Sequence, residues 1–87
     1  MIIGKVRGSV VATRKNEKLV GHKFLVVELY ERIAKNNDYL IAVDKIGAGI
    51  GDFVLITTGS GARLAAGDVD SPIDAAVVGI LDEEPQF

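Results

Sequence analysis

Apolar residues recur at every second position in five stretches of this chain, the repeat of half-buried strands rather than the 3.6-residue repeat of helices. In the first, Val6, Gly8, Val10 and Ala12 fall on one face, with Lys5, Arg7, Ser9 and Thr13 on the other. The second, residues 24–31, sets Phe24, Val26 and Tyr30 against Leu25, Val27 and Leu29. Both of its faces are apolar, so this strand is expected to be covered on both sides. The third, residues 39–46, alternates Tyr39, Ile41 and Val43 with Leu40, Ala42 and Asp44. The fourth and fifth span residues 53–58 and 75–82.

Turn formers punctuate these stretches. Asn16, Gly21 and His22 mark a polar loop after the first strand, and Lys35, Asn36, Asn37 and Asp38 a turn after the second. Gly47, Ala48, Gly49, Ile50, Gly51 and Asp52 join the third to the fourth. The one helical segment, residues 61–66, lies between the fourth and fifth strands. Ser60 is expected to cap its start through its hydroxyl, and Gly67 to end it in the left-handed conformation. Asp70, Ser71 and Pro72 then form a turn into the last strand. Five short strands with one helical turn predict a small all-β barrel, closed far enough to hide its strand edges.

Composition changes this picture in one respect. A chain of 87 residues is a single domain, 1–87, with a thin core, and such chains usually need an extra source of stability. There is no cysteine and only one histidine, His22, so disulfides, Cys-based metal sites and a histidine cage within one subunit are excluded. Yet 48% of the residues are hydrophobic, more than one small core takes in. Subunit contacts are the expected outlet. No apolar run approaches the roughly 18 residues of a membrane span. The start, Met1 to Lys5, lacks the order of a signal peptide, so a cytoplasmic location without membrane contact is expected. A net charge of −2 argues against nucleic acid as a partner.

Candidate chemistry is sparse. The segment Gly47, Ala48, Gly49, Ile50, Gly51 has the glycines of a phosphate cradle, but its spacing is G-x-G-x-G and a strand follows it, not a helix. A tight connection with positive φ and close backbone packing suits it better, as at a ring axis where identical loops converge. Ser60 and Arg63, within Gly59-Ser60-Gly61-Ala62-Arg63, could clamp a carboxylate; a capped helical turn whose arginine pairs with an acidic group of the same or a neighbouring subunit is the favoured reading. Asp44, Asp52, Asp74 and Asp82 sit at strand ends, where aspartate forms turns, and no nucleophile, histidine or metal cluster joins them. No cofactor and no catalytic residue are expected. Lys5, Arg7, Arg14, Lys15, Lys18 and Lys23 cluster early, without aromatics interleaved to stack bases.

Several blocks, in one order and spacing, resemble the bacterial microcompartment vertex proteins, the pentameric shell proteins of ethanolamine- and propanediol-utilising compartments and of carboxysomes. They are residues 4–15, the Leu19-Val20-Gly21-His22-Lys23 run with its apolar continuation to Val27, residues 42–55, the Gly59–Arg63 block, and residues 72–82. The resemblance implies a five-stranded OB-like barrel and a homopentamer. It also implies a structural role, capping the vertices of a shell tiled otherwise by hexameric microcompartment shell proteins. The alternative is an OB-type module for single-stranded nucleic acid or a small ligand. Gly61 stands where the family usually carries serine or alanine, and the tail after Asp82 is short.

Overall fold

In the computed structural model, which describes residues 1–11, 16–30, 38–67 and 70–85, five strands form around an apolar interior. They are β1 (Ile2–Val10), β2 (Lys23–Leu29), β3 (Tyr39–Asp44), β4 (Phe53–Thr58) and β5 (Ala75–Ile80). A helix, α1 (Ser60–Ala66), lies between β4 and β5, and a 3-10 turn, Glu17–Leu19, precedes β2. The sheet closes in the order β1-β2-β3-β5-β4 and back to β1, which is the expected five-stranded OB-like barrel. All pairings are antiparallel except β3 with β5, a parallel contact of two residue pairs, Val43 with Ala76 and Asp44 with Val77.

Alternation along the strands fills the barrel. Val6, Leu25, Val27, Ala42, Val54, Ile56, Ala75 and Val77 point inward, and Ala48 closes over them from the loop after β3. A second cluster sits outside the wall. There Val43 and Ala76, on the outer faces of β3 and β5, are covered by Ala62 and Ala66 of α1 and by Ile73, with Leu19 and Phe24 packed against them. Strand β2 is buried on its inner face at Leu25 and Val27, while on its outer face only Phe24 joins this second cluster and Val26 stays half-buried. Small alanines on α1 let the helix lie close to the strands.

One expectation fails, for a clear reason. Val6 faces Val27, but the next partner, Gly8, faces Val26, so Arg7 is an extra residue in β1. This β-bulge reverses the alternation. Val6 points into the core, whereas Gly8 and Val10 share the outer face with Val26 and Phe24 and do not share a face with Val6. Arg7, freed by the bulge, donates from Nε and Nη2 to Glu28 Oε1 (3.2 and 2.8 Å). Strand ends also shift: β3 stops at Asp44 rather than residue 46, and β5 at Ile80 rather than residue 82. Ala12 to Lys15, Glu31, and Lys35 to Asn37 of the expected turn lie outside the described residues, as do Gln86 and Phe87.

Candidate functional site

The glycine segment after β3 is shaped by the aspartates on either side of it. Asp44 ends β3 with its side chain turned into the subunit, only 5% of the residue being exposed. Its carboxylate accepts from the backbone N–H of Ile46 (2.9 Å, Oδ1), Gly47 (3.1 Å, Oδ1) and Ala48 (2.7 Å, Oδ2). Lys23, opposite Asp44 on β2, brings its Nζ to 3.4 Å from Oδ2 and donates to the Ala48 carbonyl at 2.8 Å. Burial pushes the Asp44 carboxyl up, but the three backbone donors and Lys23 outweigh it, and the group is held below its ordinary value. On the far side, Gly49 N–H donates to Asp52 Oδ2 (2.8 Å), Asp52 N–H to the Gly49 carbonyl (3.1 Å), and Gly51 N–H to the Val6 carbonyl (2.8 Å).

This arrangement answers the phosphate question. Successive N–H groups do converge into an anion-binding hollow. The Asp44 carboxylate already fills it, and the donors of Gly49 and Gly51 are spent on Asp52 and Val6. Gly47 (φ +106) and Gly51 (φ +94) occupy the left-handed region that side chains avoid, so the turn itself requires them. Gly49 is different. Its φ is ordinary, and a Cβ there would meet only Asp52 Oδ2, at 3.7 Å. Among the described residues nothing demands a glycine at that position. Beside it Ile50 projects 74% exposed.

The second candidate, Ser60 and Arg63, lies at the start of α1. Ser60 is the first helical residue and does not cap it. The cap position belongs to Gly59, at φ 65 and ψ −137, a backbone state open essentially to glycine, and no side-chain hydrogen bond caps the helix. Gly59 N–H donates to the Asp74 carbonyl, and its own carbonyl accepts from Ala62 and Arg63. Arg63 donates from Nη1 to the Ile73 carbonyl at 3.3 Å, tying α1 to the segment before β5. At the other end Gly67 (φ 84) closes the helix as expected, and Lys45 Nζ caps the Ala66 carbonyl at 2.8 Å. A Cβ on Gly61 would come within 2.7 Å of Thr57 Oγ1, so the small residue here suits its neighbour.

The remaining polar residues are largely engaged within the fold. Lys5 Nζ lies 5.2 Å from the Phe53 ring centre, and that ring packs edge-on against Tyr30. Glu28 joins three strands, accepting from Arg7 and, at Oε2, from Tyr39 Oη (3.2 Å). The hydrogen bond from Arg7 is the main influence holding the Glu28 carboxyl below its ordinary value. Arg14 and Lys15 lie outside the described residues. Among the described residues no group of three or more metal-ligating side chains gathers, and no helix is long and apolar enough to cross a membrane. The structure thus places Gly47 to Gly51 in one clasped loop and Ser60 with Arg63 at a separate helix start. The roles of Asp44 and Lys23 as the clasp were missed in the sequence. A lone aspartate before a glycine run was the only signal.

Known proteins share this architecture and the sequence that builds it. A bacterial microcompartment shell vertex protein, GrpN, of Rhodospirillum rubrum is 49% identical over 83 residues, covering 94% of this chain and 93% of its own. The carboxysome shell vertex protein CcmL of Gloeobacter violaceus is 43% identical over 94% of this chain and 83% of its own. A solved structure of Gloeobacter violaceus CcmL superposes with a TM-score of 0.86 at 42% identity, covering 99% of this chain and 90% of the other. The structure described as the GrpN pentameric microcompartment shell protein from Rhodospirillum rubrum gives 0.84 at 43% identity, with both chains covered in full. Residues 1–82 match the sequence profile of the family described as ethanolamine utilisation protein EutN/carboxysome, and it is to this EutN/CcmL family that the chain belongs.

Proposed function

We propose that this protein is a non-enzymatic structural subunit that forms homopentamers and caps the vertices of a polyhedral microcompartment shell in the cytoplasm, bordered there by hexameric shell proteins. The observation that carries the reading is the likeness to the pentameric shell protein of Rhodospirillum rubrum, which extends over the whole of both chains. The surface agrees with it. Met1, Val11, Val20, Ile46, Ile50 and Leu64 stand exposed on a subunit of 87 residues, apolar area that a ring takes out of water.

In this reading the loop Gly47, Ala48, Gly49, Ile50 and Gly51 converges on the five-fold axis. The glycine that the subunit does not need, Gly49, is the one that a neighbour's loop requires. Ser60 and Arg63 then contribute to the contact between neighbours. Native mass spectrometry at micromolar concentration tests the ring, and a monomeric wild-type chain would count against it. Gly49→Leu tests the axis: the variant subunit should keep its fold, read by circular dichroism, while rings are lost or fail to close shells. Rings and shells that form as in the wild type would remove the loop from the axis.

A further inference from the structure

Among the described residues several stretches of strand pair along one edge only, and two of them bound the sheet of β1, β2 and β3. Along β1, pairing with β4 ends at Lys5, and Val6 is held by Gly51 and Asp52 of the glycine loop. From residue 8 to residue 10, β1 pairs with β2 alone among the described residues. Along β3, contact with β5 begins only at Val43, so residues 39–41 pair, among the described residues, with β2 alone. Because β2 lies between them, these two open edges are on opposite sides of one three-stranded sheet. An open strand edge carries a row of N–H and C=O groups that pair readily with another strand.

Each edge has the surroundings of a contact. Beside residues 39–41 lies a cleft of about 470 Å³, lined by Leu40, Ile41, Thr58, Gly59, Asp74 and Ala75. Ile41 is 47% exposed and Tyr39 53%, apolar bulk at the rim of this strand edge. On β1, Gly8 has an ordinary φ, and a Cβ built on it meets nothing within 4 Å. Neither its own conformation nor any neighbour among the described residues calls for glycine there. Glycine weakens a strand, and one not required for its own conformation marks a place where another backbone comes close. Val11, next along, is 89% exposed.

We infer that residues 8–10 of β1 in one copy dock against residues 39–41 of β3 in the next, edge to edge. The inference rests on the ring reading given above and names the contact that makes the ring. Both edges present a strand without a second partner among the described residues, flanked by exposed apolar side chains, so each suits the other and the occupant is a second copy of this chain. A contact between opposite sides of one sheet is head-to-tail. It propagates from copy to copy and closes when the rotation per copy divides the circle. It also removes these two edges from solvent, where they would otherwise recruit strands indiscriminately.

The chain has no cysteine, so introduced thiols are the only ones present. Ile41→Cys is combined in turn with Gly8→Cys, Ser9→Cys and Val10→Cys, and each double variant is oxidised mildly and run on a denaturing gel. At least one pair should give a reducible ladder reaching the pentamer, whereas Ile41→Cys alone should give no species beyond a dimer. Ile41→Lys, folded by circular dichroism, should shift the native mass spectrum from ring to monomer. A pentameric wild type with no ladder from any of the three pairs, or a fully pentameric Ile41→Lys, overturns the edge contact and leaves the ring standing. A monomeric wild type overturns both.

Discussion

At Gly59 and Ser60 the division of labour follows from backbone geometry. Serine before a helical run is a good N-cap in sequence, because its oxygen can accept from a free N–H of the first turn. Here the chain leaves β4 through Gly59 at φ 65, which places Ser60 one position too late to cap. In the dissociated subunit Ser60→Ala should therefore change unfolding free energy by less than about 0.5 kcal/mol. Gly59→Ala, forced into a conformation that a side chain resists, should cost about 1–3 kcal/mol. Urea denaturation of the two variants measures both; a costly Ser60→Ala with a silent Gly59→Ala would reverse the assignment. The sequence could not distinguish the two residues, since both types are good caps and only the path of the chain out of β4 selects one. Gly67, in contrast, was legible. A glycine after an alanine-rich turn has few other roles, and the αL conformation is where it falls.

At the scale of elements, the loop between β3 and β4 is rigid because it is clasped at both ends, by Asp44 with Lys23 and by Asp52. The Asp44 carboxyl is held below its ordinary value in the folded state. Its contribution to stability is thus complete above the unfolded pKa, near 4, and is lost as pH falls through the lower folded value. Asp44→Asn replaces one acceptor oxygen with a donor that faces other donors. It should cost about 2–3 kcal/mol at neutral pH. It should also flatten the acid limb of the stability profile below pH 4, measured by thermal unfolding across a pH series. An acid limb unchanged from wild type would mean that another carboxylate sets it. The glycines at 47 and 51 announced a turn in the sequence. The clasp did not show, because Asp44 and Lys23 meet only once β2 and β3 are in register. The bulge at Arg7 was hidden for a related reason: Val6, Gly8 and Val10 keep a perfect alternation on paper, and only the partner strand shows that one residue is extra.

For the whole molecule, strand number, their order along the chain and the place of the helix were all readable from period-two runs and turn residues. The closure of the sheet was read only as a need to hide edges. The burial pattern bears that logic out incompletely. The barrel closes, but an apolar surplus remains outside it, and Ile50, Leu64 and Val11 have no cover within the described subunit. If subunits join to cover this area, unfolding is coupled to dissociation. The midpoint of thermal unfolding should then rise with protein concentration, because the free energy that favours the assembled chain grows with the logarithm of concentration. Scanning calorimetry from micromolar to hundreds of micromolar chain reads this directly, and a midpoint independent of concentration would describe a self-sufficient monomer.

The short parallel seam between β3 and β5 has a consequence for how the protein is made. Strands β1, β2 and β3 are joined by local antiparallel pairing and leave the ribosome together, in the first half of the chain. The seam needs Ala76 and Val77, which are synthesised after all three of those strands. Until they emerge, the inner face of the meander is bare and β3 is open along its full length. A nascent chain in this state offers its neighbours on the same message the wrong surface. The β3 edge is thus covered by β5 only after that strand has emerged, and a nascent chain should be most open to wrong pairing before then.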